Sequence, residues 1–296
     1  MLTPDSFWFV LATSFAPYAL LGYAVSAIGF GLLLRGGEPA LRRWLSGIVV
    51  GSVVGVLAHA ALLAPLFLGD HPNGPADLVV MNLNLKKGHA DAVQAVALAR
   101  RERVQVLTLE EVTPAELTRL QAAGVTRTLP YQAGNSGSGG SGTVVFSAYP
   151  LSEVARVPLQ HDGYRIAVAA PRPFWLVAVH IAQPLVGPGS WRADWSVLAQ
   201  VVPGLHDRPV LVSGDFNSTL DHRPMRDLLG EGFADAARTA NSGWQPTWPS
   251  SGSGLIAIDH VLTRRGPGGG YSAISTRTFH VDGSDHRALV VRLKAS

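Results

Sequence analysis

Two long apolar runs open the chain. Residues 7–34 contain no Asp, Glu, Lys, Arg or His over 28 positions, and residues 44–68 contain only His59 among 25. Each run is long enough to cross a hydrocarbon core of about 30 Å as a helix, so residues 1–69 read as a transmembrane helical hairpin. The first run has no basic leader and is too long for a cleavable signal peptide. Residues 70–77, with Pro72, Asn73, Gly74 and Pro75, read as a linker. Beyond it, short apolar runs alternate with helical periodicity. The pattern predicts strands over 78–85, 104–109, 143–147, 166–170, 175–180, 210–217, 256–262 and 288–293. It predicts helices over 90–103, 114–123, 191–202 and 225–229. Thr113 before Pro114 is a helix start, a side-chain cap followed by a preset φ. Residues 134–142, almost pure Gly and Ser, read as a flexible loop. Many strands, several of them apolar throughout, predict an α/β architecture over 78–296. Its two β-sheets pack face to face with flanking helices, a four-layer α-β-β-α sandwich.

Charge orients this arrangement. Arg35, Arg42 and Arg43 lie between the apolar runs, whereas the N-terminal tail carries only Asp5, and residues 69–85 carry Asp70 and Asp77 without a cation. The positive-inside rule then puts the arginine loop in the cytoplasm, and both termini and the large domain outside the cell membrane. Trp8, Tyr18 and Trp44 fall near interface depth, and His59 reads as a packed, neutral histidine. Composition agrees with a membrane-embedded part: 47% of the 296 residues are hydrophobic and 15% charged. Without cysteine, disulfides, zinc–thiolate sites and thiol chemistry are excluded. Three of the 24 Lys and Arg and two of the 21 Asp and Glu precede Asp70, which leaves 21 against 19 and a net of +2. A pI near 9.4 therefore does not describe a nucleic-acid-binding face.

The candidate chemistry sits at strand ends. Residues 210–217 read Val-Leu-Val-Ser-Gly-Asp-Phe-Asn. Ser213-Gly214 is expected to break the apolar run, so that Asp215 and Asn217 emerge on one side while Phe216 points to the other. Such a pair can hold a divalent metal, a water or a phosphate oxygen. Asn84, Glu111, His180, Asp259, Asp285 and His286 occupy similar positions. Glu111 suits Mg²⁺, which prefers a few carboxylates plus water and phosphate, whereas Glu110 reads as a cap or surface acid. Asp259 interrupts an apolar strand and needs a partner. His286 is a fitting one, an imidazole that can then serve as acid or base. His260 faces away and reads as structural.

In order and spacing, Asn84, Leu-Glu-Glu111, Val-His180, Gly-Asp215-Phe-Asn217, Ile-Asp259-His and Ser-Asp285-His286 resemble the endonuclease/exonuclease/phosphatase superfamily. That superfamily includes DNase I-like nucleases, neutral sphingomyelinases and inositol-polyphosphate phosphatases. The resemblance implies Glu111 as main ligand of Mg²⁺ or Mn²⁺, with Asn84 and Asp285 close by. Asp215 and Asn217 would orient water and phosphate, and His180 and His286 would flank the phosphate, Asp259 fixing His286. The hairpin and Gln-Pro-Thr-Trp-Pro249 further resemble VanJ-type membrane proteins linked to teicoplanin resistance, a resemblance that implies one more N-terminal span than the two read here. Ile-Ala-Gln-Pro after His180 lacks the aromatic and asparagine of abasic-site endonucleases, which counts against DNA repair.

The expected function is a membrane-anchored, divalent-metal-dependent phosphohydrolase outside the cell, acting on a phosphate ester or diphosphate near the bilayer, such as a lipid-linked diphosphate. A surface nuclease or phosphodiesterase of the same chemistry is the alternative. The small net charge disfavours nucleic acid, whose binding depends on phosphate neutralisation. Arg165, Arg192 and Arg223 are the candidates for a basic patch, with Arg165 the candidate phosphate contact. A non-catalytic surface binding protein is a third reading.

The orientation is testable directly. A reporter fused after Ser296 should be active outside the cytoplasm, and replacing Arg35, Arg42 and Arg43 with neutral residues should scramble that orientation. A cytoplasmic C-terminus in the unaltered chain would overturn it.

Overall fold

A computed structural model describes residues 7–36, 38–68 and 73–296. Asp5 and the expected linker residues 70–72 lie outside them. The helices are α1 (Phe7–Ser14), α2 (Ala19–Leu33), α3 (Pro39–Leu63), α4 (Ala92–Arg101), α5 (Pro114–Ala122), α6 (Pro188–Val201), α7 (Arg223–Gly230) and α8 (Ala236–Thr239). The strands are β1 (Leu78–Asn84), β2 (Val106–Glu110), β3 (Tyr131–Asn135), β4 (Thr143–Ser147), β5 (Leu151–Val157), β6 (Gly163–Val168), β7 (Phe174–His180), β8 (Val210–Asp215), β9 (Ala234–Asp235), β10 (Asp259–Arg264), β11 (Tyr271–Phe279) and β12 (Ala288–Ala295).

The strands form two six-stranded sheets, in the orders β11-β12-β1-β2-β4-β3 and β5-β6-β7-β8-β10-β9. Within each, the central pair is parallel, β1 with β2 and β7 with β8, and the other pairs are antiparallel. Three apolar layers separate the structural ones. Met81, Leu83, Leu107 and Leu109 pack the first sheet against α4 and α5. Leu78, Val80, Val106, Ile166, Leu176 and Leu211 fill the space between the sheets. Val177, Val212 and Phe216 pack the second sheet against Trp191, Trp195 and Leu198 of α6. The result is the expected α-β-β-α sandwich. Local signals start its helices: the Asp91 side chain accepts from the N–H groups of Val93 and Gln94, and that of Thr113 accepts from Glu116.

One regularity in this packing places the site. Side chains alternate along a strand, and the row facing the other sheet turns polar at one end. In β1 it runs Leu78, Val80, Asn82, Asn84; in β2, Val106, Thr108, Glu110; in β7, Leu176, Ala178, His180; in β8, Leu211, Ser213, Asp215. Ser213-Gly214 ends the apolar run as expected, and β8 itself continues to Asp215 at its C-terminal end. Gly214, at φ 156°, lets β7 and β8 approach, since a Cβ there would lie 1.9 Å from the Val179 carbonyl oxygen.

The N-terminal run differs from expectation. Pro17 divides it into α1 and α2 with a short 3₁₀ turn between. The stretches long and apolar enough to cross a membrane are Ala16–Leu33 and Pro39–Leu66, of which almost nothing is fully buried in the structure. They pair as a hairpin, joined by a hydrogen bond between the Ser26 and Ser52 hydroxyls (2.8 Å), with the Tyr23 ring 5.4 Å from that of His59. Helix α1 instead lies on the large domain, its Val10 buried in the α6 layer. Strands β3, β5, β9 and β11 were not expected. The 134–142 segment begins inside β3 and then folds over Glu111, where a Cβ at Gly140 would lie 3.2 Å from Oε2.

Gly214→Ala tests the close approach of β7 and β8. Its Cβ meets backbone, so the strands must part, and overpacking of this kind typically costs about 1–3 kcal/mol. Thermal unfolding should show a drop of several degrees; an unchanged midpoint would contradict the geometry.

Candidate active site

The polar strand ends meet at one edge of the sandwich. The carboxylates of Asp215 and Asp259 and the His286 imidazole offer ligand atoms within 4.8 Å of one another, all buried. His286 Nδ1 donates to Asp259 Oδ2 at 2.8 Å, and its Nε2 lies 3.7 Å from Asp215 Oδ2. Asn82 Nδ2 donates to the other Asp259 oxygen at 3.1 Å. The backbone N–H of Asp259 is held by the Thr247 hydroxyl, so the Gln245–Pro249 segment sets the start of β10. The Ser284 hydroxyl donates to the Asn84 carbonyl and accepts from the His286 N–H, which fixes the loop before β12.

A second group surrounds Glu111. Asn84 Nδ2 donates both to Glu111 Oε1 (3.2 Å) and to Asp215 Oδ2 (3.1 Å), while its Oδ1 accepts from the Lys86 N–H. In this arrangement the Asn84 amide bridges the two carboxylates. Glu111 sits at φ 56°, beside Lys86 and Lys87, which also have positive φ. Such backbone is sparsely populated for non-glycine residues and often marks a functional turn. The Lys87 N–H donates to Glu111 Oε2 at 2.7 Å. His180 Nε2 lies 3.9 Å from Glu111 Oε1 and 3.8 Å from Asp215 Oδ2, too far for hydrogen bonds. Both His180 ring nitrogens are buried without a partner among the described residues. Two carboxylates and an orphaned imidazole around a common gap are a donor set that fits a hard divalent cation and a phosphate oxygen. A cleft of about 220 Å³ opens above, lined by Lys87, Glu111, Gly140, His161, Gln183 and Ser190.

Burial sets the electrostatics. It raises the Asp215 carboxyl to about 7, with His286 opposing the shift and Asp259 adding to it. Burial alone would lower the His286 imidazole, but Asp259 and Asp215 override it and lift it to about 10. His180 is held well below the usual histidine range by burial, aided by His161 and His286.

Asn217 follows β8; its N–H returns to Asp215 Oδ1 and its side-chain amide donates to the Ile181 carbonyl. Asp285 is half-exposed beside His286, and its carboxylate makes no hydrogen bond or ion pair among the described residues. Arg165 is not brought to this edge. It shares its face of β6 with Ala167, opposite to Tyr164 and Ile166, and stacks on Trp175 at 4.9 Å on the outer side of the second sheet. His260 is structural as expected, held by Asp235 (3.1 Å) and the Ser218 carbonyl.

Sequence reasoning missed Glu110, Asn82 and His161. Glu110 is no surface acid: it is fully buried, both oxygens lack partners among the described residues, and burial with Asp259 and Asp215 holds its pKa well above the carboxylate range. Period-two alternation from Val106 and Thr108 would have placed it inside. Asn82 was equally legible, two residues before Asn84 on one face. Nothing local marked His161, which stacks on His180 with ring centroids 4.5 Å apart.

A family model described as the endonuclease/exonuclease/phosphatase family matches residues 81–286. No curated protein matches the chain. Among solved structures, a humanized D. rerio TDP2 is similar at 14% identity and TM-score 0.61, over 73% of this chain and 98% of that one. An endonuclease/exonuclease/phosphatase from Beutenbergia cavernae is similar at 19% and 0.56, over 74% and 72%. A mannosyl-6-phosphatase from Bacteroides thetaiotaomicron is similar at 12% and 0.57, over 73% and 99%. At such identities the likeness is one of fold.

Both raised groups make the native state hold protons that the unfolded chain releases. The contribution of Asp215 is complete below its unfolded value, about pH 4, and is lost as pH rises through about 7. That of His286 is complete below about 6.5 and lost through about 10. In chelator, the thermal midpoint should fall between pH 5 and pH 8, and Asp215→Asn should flatten that fall. Parallel curves for the two proteins would refute the assignment.

Proposed function

The chain belongs to the endonuclease/exonuclease/phosphatase family, and on that premise we propose a membrane-anchored phosphohydrolase acting outside the cell on a lipid-linked phosphate or diphosphate. The supporting observation is where the hairpin ends. The Tyr18 hydroxyl donates to the Leu255 carbonyl in the loop before β10, and the Gly243 N–H donates to the Leu66 carbonyl. His222 Nε2 bonds the Val10 carbonyl at 3.0 Å, in the loop that follows Asn217. These contacts support a reading in which the candidate site's edge faces the bilayer end of the hairpin, where a lipid-borne phosphate would stand. The arginines at 35, 42 and 43 favour the extracytoplasmic side for this edge.

Enzymes of this family typically use a divalent metal. Here Glu111 would be the main ligand, with Asn84 holding it through its amide and Asp285 near His286, and Mg²⁺ or Mn²⁺ would suit the oxygen donors. The bound cation would neutralise charge on phosphate oxygens. Asp215 and Asn217 position a water for in-line attack on phosphorus; as the new P–O bond forms, the P–O bond to the leaving group breaks and the leaving oxygen departs with that electron pair, while Asp215, with its raised pKa, takes the water's proton. Protonated His286, oriented by Asp259, and neutral His180 donate hydrogen bonds to the phosphate oxygens as charge develops.

A nuclease is the second reading, favoured by one observation: the D. rerio TDP2 structures include a complex with a single-strand DNA product. A phosphate-release panel with Mg²⁺ or Mn²⁺ on undecaprenyl diphosphate, a sphingomyelin-type diester and plasmid DNA separates the two. The lipid diphosphate should be hydrolysed fastest, and preferential cleavage of DNA would establish the nuclease instead. Glu111→Ala and His286→Ala should each lower the rate by about 10²–10⁴-fold while the fold survives. A fully active His286→Ala protein would refute its role.

A further inference from the structure

The junction between the hairpin and the large domain encloses a cavity of about 160 Å³. Pro17, Leu62, Leu63 and Leu66 form its hairpin side, and Arg226 and Arg238 are on the domain side. Its depth along the hairpin is informative. Pro17 and Leu66 are at the ends of the two stretches able to cross a membrane, Ala16–Leu33 and Pro39–Leu66. The cavity is therefore at the level where hydrocarbon gives way to headgroups. Trp244 also lines it, edge-on to Tyr18 with ring centroids 6.3 Å apart, an aromatic pair typical of that depth.

Arg226 and Arg238 supply the guanidinium groups at this level. No ion pair holds either guanidinium among the described residues; Arg226 instead donates to the Asp221 backbone carbonyl. Three carboxylates share the lining: Asp235 is taken by His260 and by the Arg238 N–H at the start of α8, Asp259 is taken by His286, and burial raises Asp221 against the opposing pull of Arg226 and Arg238. A further polar group lacks a partner: Thr276 is buried, lines the cavity, and its hydroxyl has no hydrogen bond among the described residues.

We propose that this cavity binds the phosphate headgroup of an anionic bilayer lipid. The volume equals about five waters at ~30 Å³ each, room for a phosphate and its first neighbours. The acyl chains would then lie outside, along α3. Arg226 and Arg238 supply the charge, Thr276 a hydroxyl donor, and Leu62 and Leu63 the path to the hydrocarbon. Such a lipid would tie the loop after β8 and helix α8 to the membrane surface, independently of the substrate cleft above Glu111.

The inference rests on the membrane placement proposed above, and the test separates the two. The full chain is reconstituted in phosphatidylcholine nanodiscs containing a few per cent of a phosphatidylglycerol analogue with a photoreactive headgroup. Cross-links should map to residues 62–66 and 226–245. The double variant Arg226→Gln, Arg238→Gln should lower their yield about tenfold or more, as loss of two cations at a membrane surface predicts. A photoreactive diacylglycerol, without phosphate, should not label these segments. Leu63→Trp, which fills the cavity with both arginines intact, should also abolish labelling, and it decides the matter if the double variant does not fold. Labelling elsewhere, or equal labelling by diacylglycerol or in both variants, would overturn the lipid site alone. A chain that fails to enter the discs would overturn the membrane placement and this site with it.

Discussion

Four carboxylates crowd the polar end of the space between the two sheets. Glu110, Glu111, Asp215 and Asp259 are all buried there, and like charges in a poorly hydrated space cannot all ionise. The structure meets this constraint by a division of states. His286 stands between Asp215 and Asp259, burial and the neighbouring acids hold the Glu110 carboxyl well above the usual carboxylate range, and Glu111 lines the cleft. The neighbouring hydrogen bonds follow from the same need. Asn84, Asn82 and Ser284 donate to the acids or the backbone beside them, and the Thr247 hydroxyl accepts from the Asp259 N–H. A wholly apolar end would be more stable and chemically inert.

The apolar hairpin is joined to that same edge. Trp191 and Trp195 both donate to the Ser218 hydroxyl, in the loop directly after Asn217, and His222 in that loop reaches α1. Helices α1 and α6 are thus both hydrogen-bonded to the loop that follows Asn217.

Much of this was legible from residue order. Strands β1, β4, β7 and β8 announce themselves by apolar, β-branched runs, because each is buried on both faces. Strands β5 and β11 did not, since Ser152, Glu153, Arg277 and Thr278 give them the polar composition of exposed edge strands. The conspicuous site residues were identified as chemistry out of place in an apolar strand. Glu110 was misjudged because its neighbour explained the motif, although alternation alone would have buried it. Arg165 was misassigned for a related reason: composition supplies cations but only parity along β6 says which face they occupy. The break at Pro17 was readable, since proline removes a helix donor. The docking of α1 was not, because it depends on a histidine 212 positions away.

The route of the chain through the two sheets sets an order of assembly. The second sheet is one continuous stretch, β5 to β10, whereas the first begins with β1 and is finished only by β11 and β12. Strand β12 pairs with both β1 and β11, and the turn just before it carries His286. During synthesis from the N-terminus, the acids of β2, β8 and β10 thus emerge long before the cation that balances them. Strand β12, entering between β1 and β11, closes the first sheet and brings His286 to Asp215 and Asp259 in the same step.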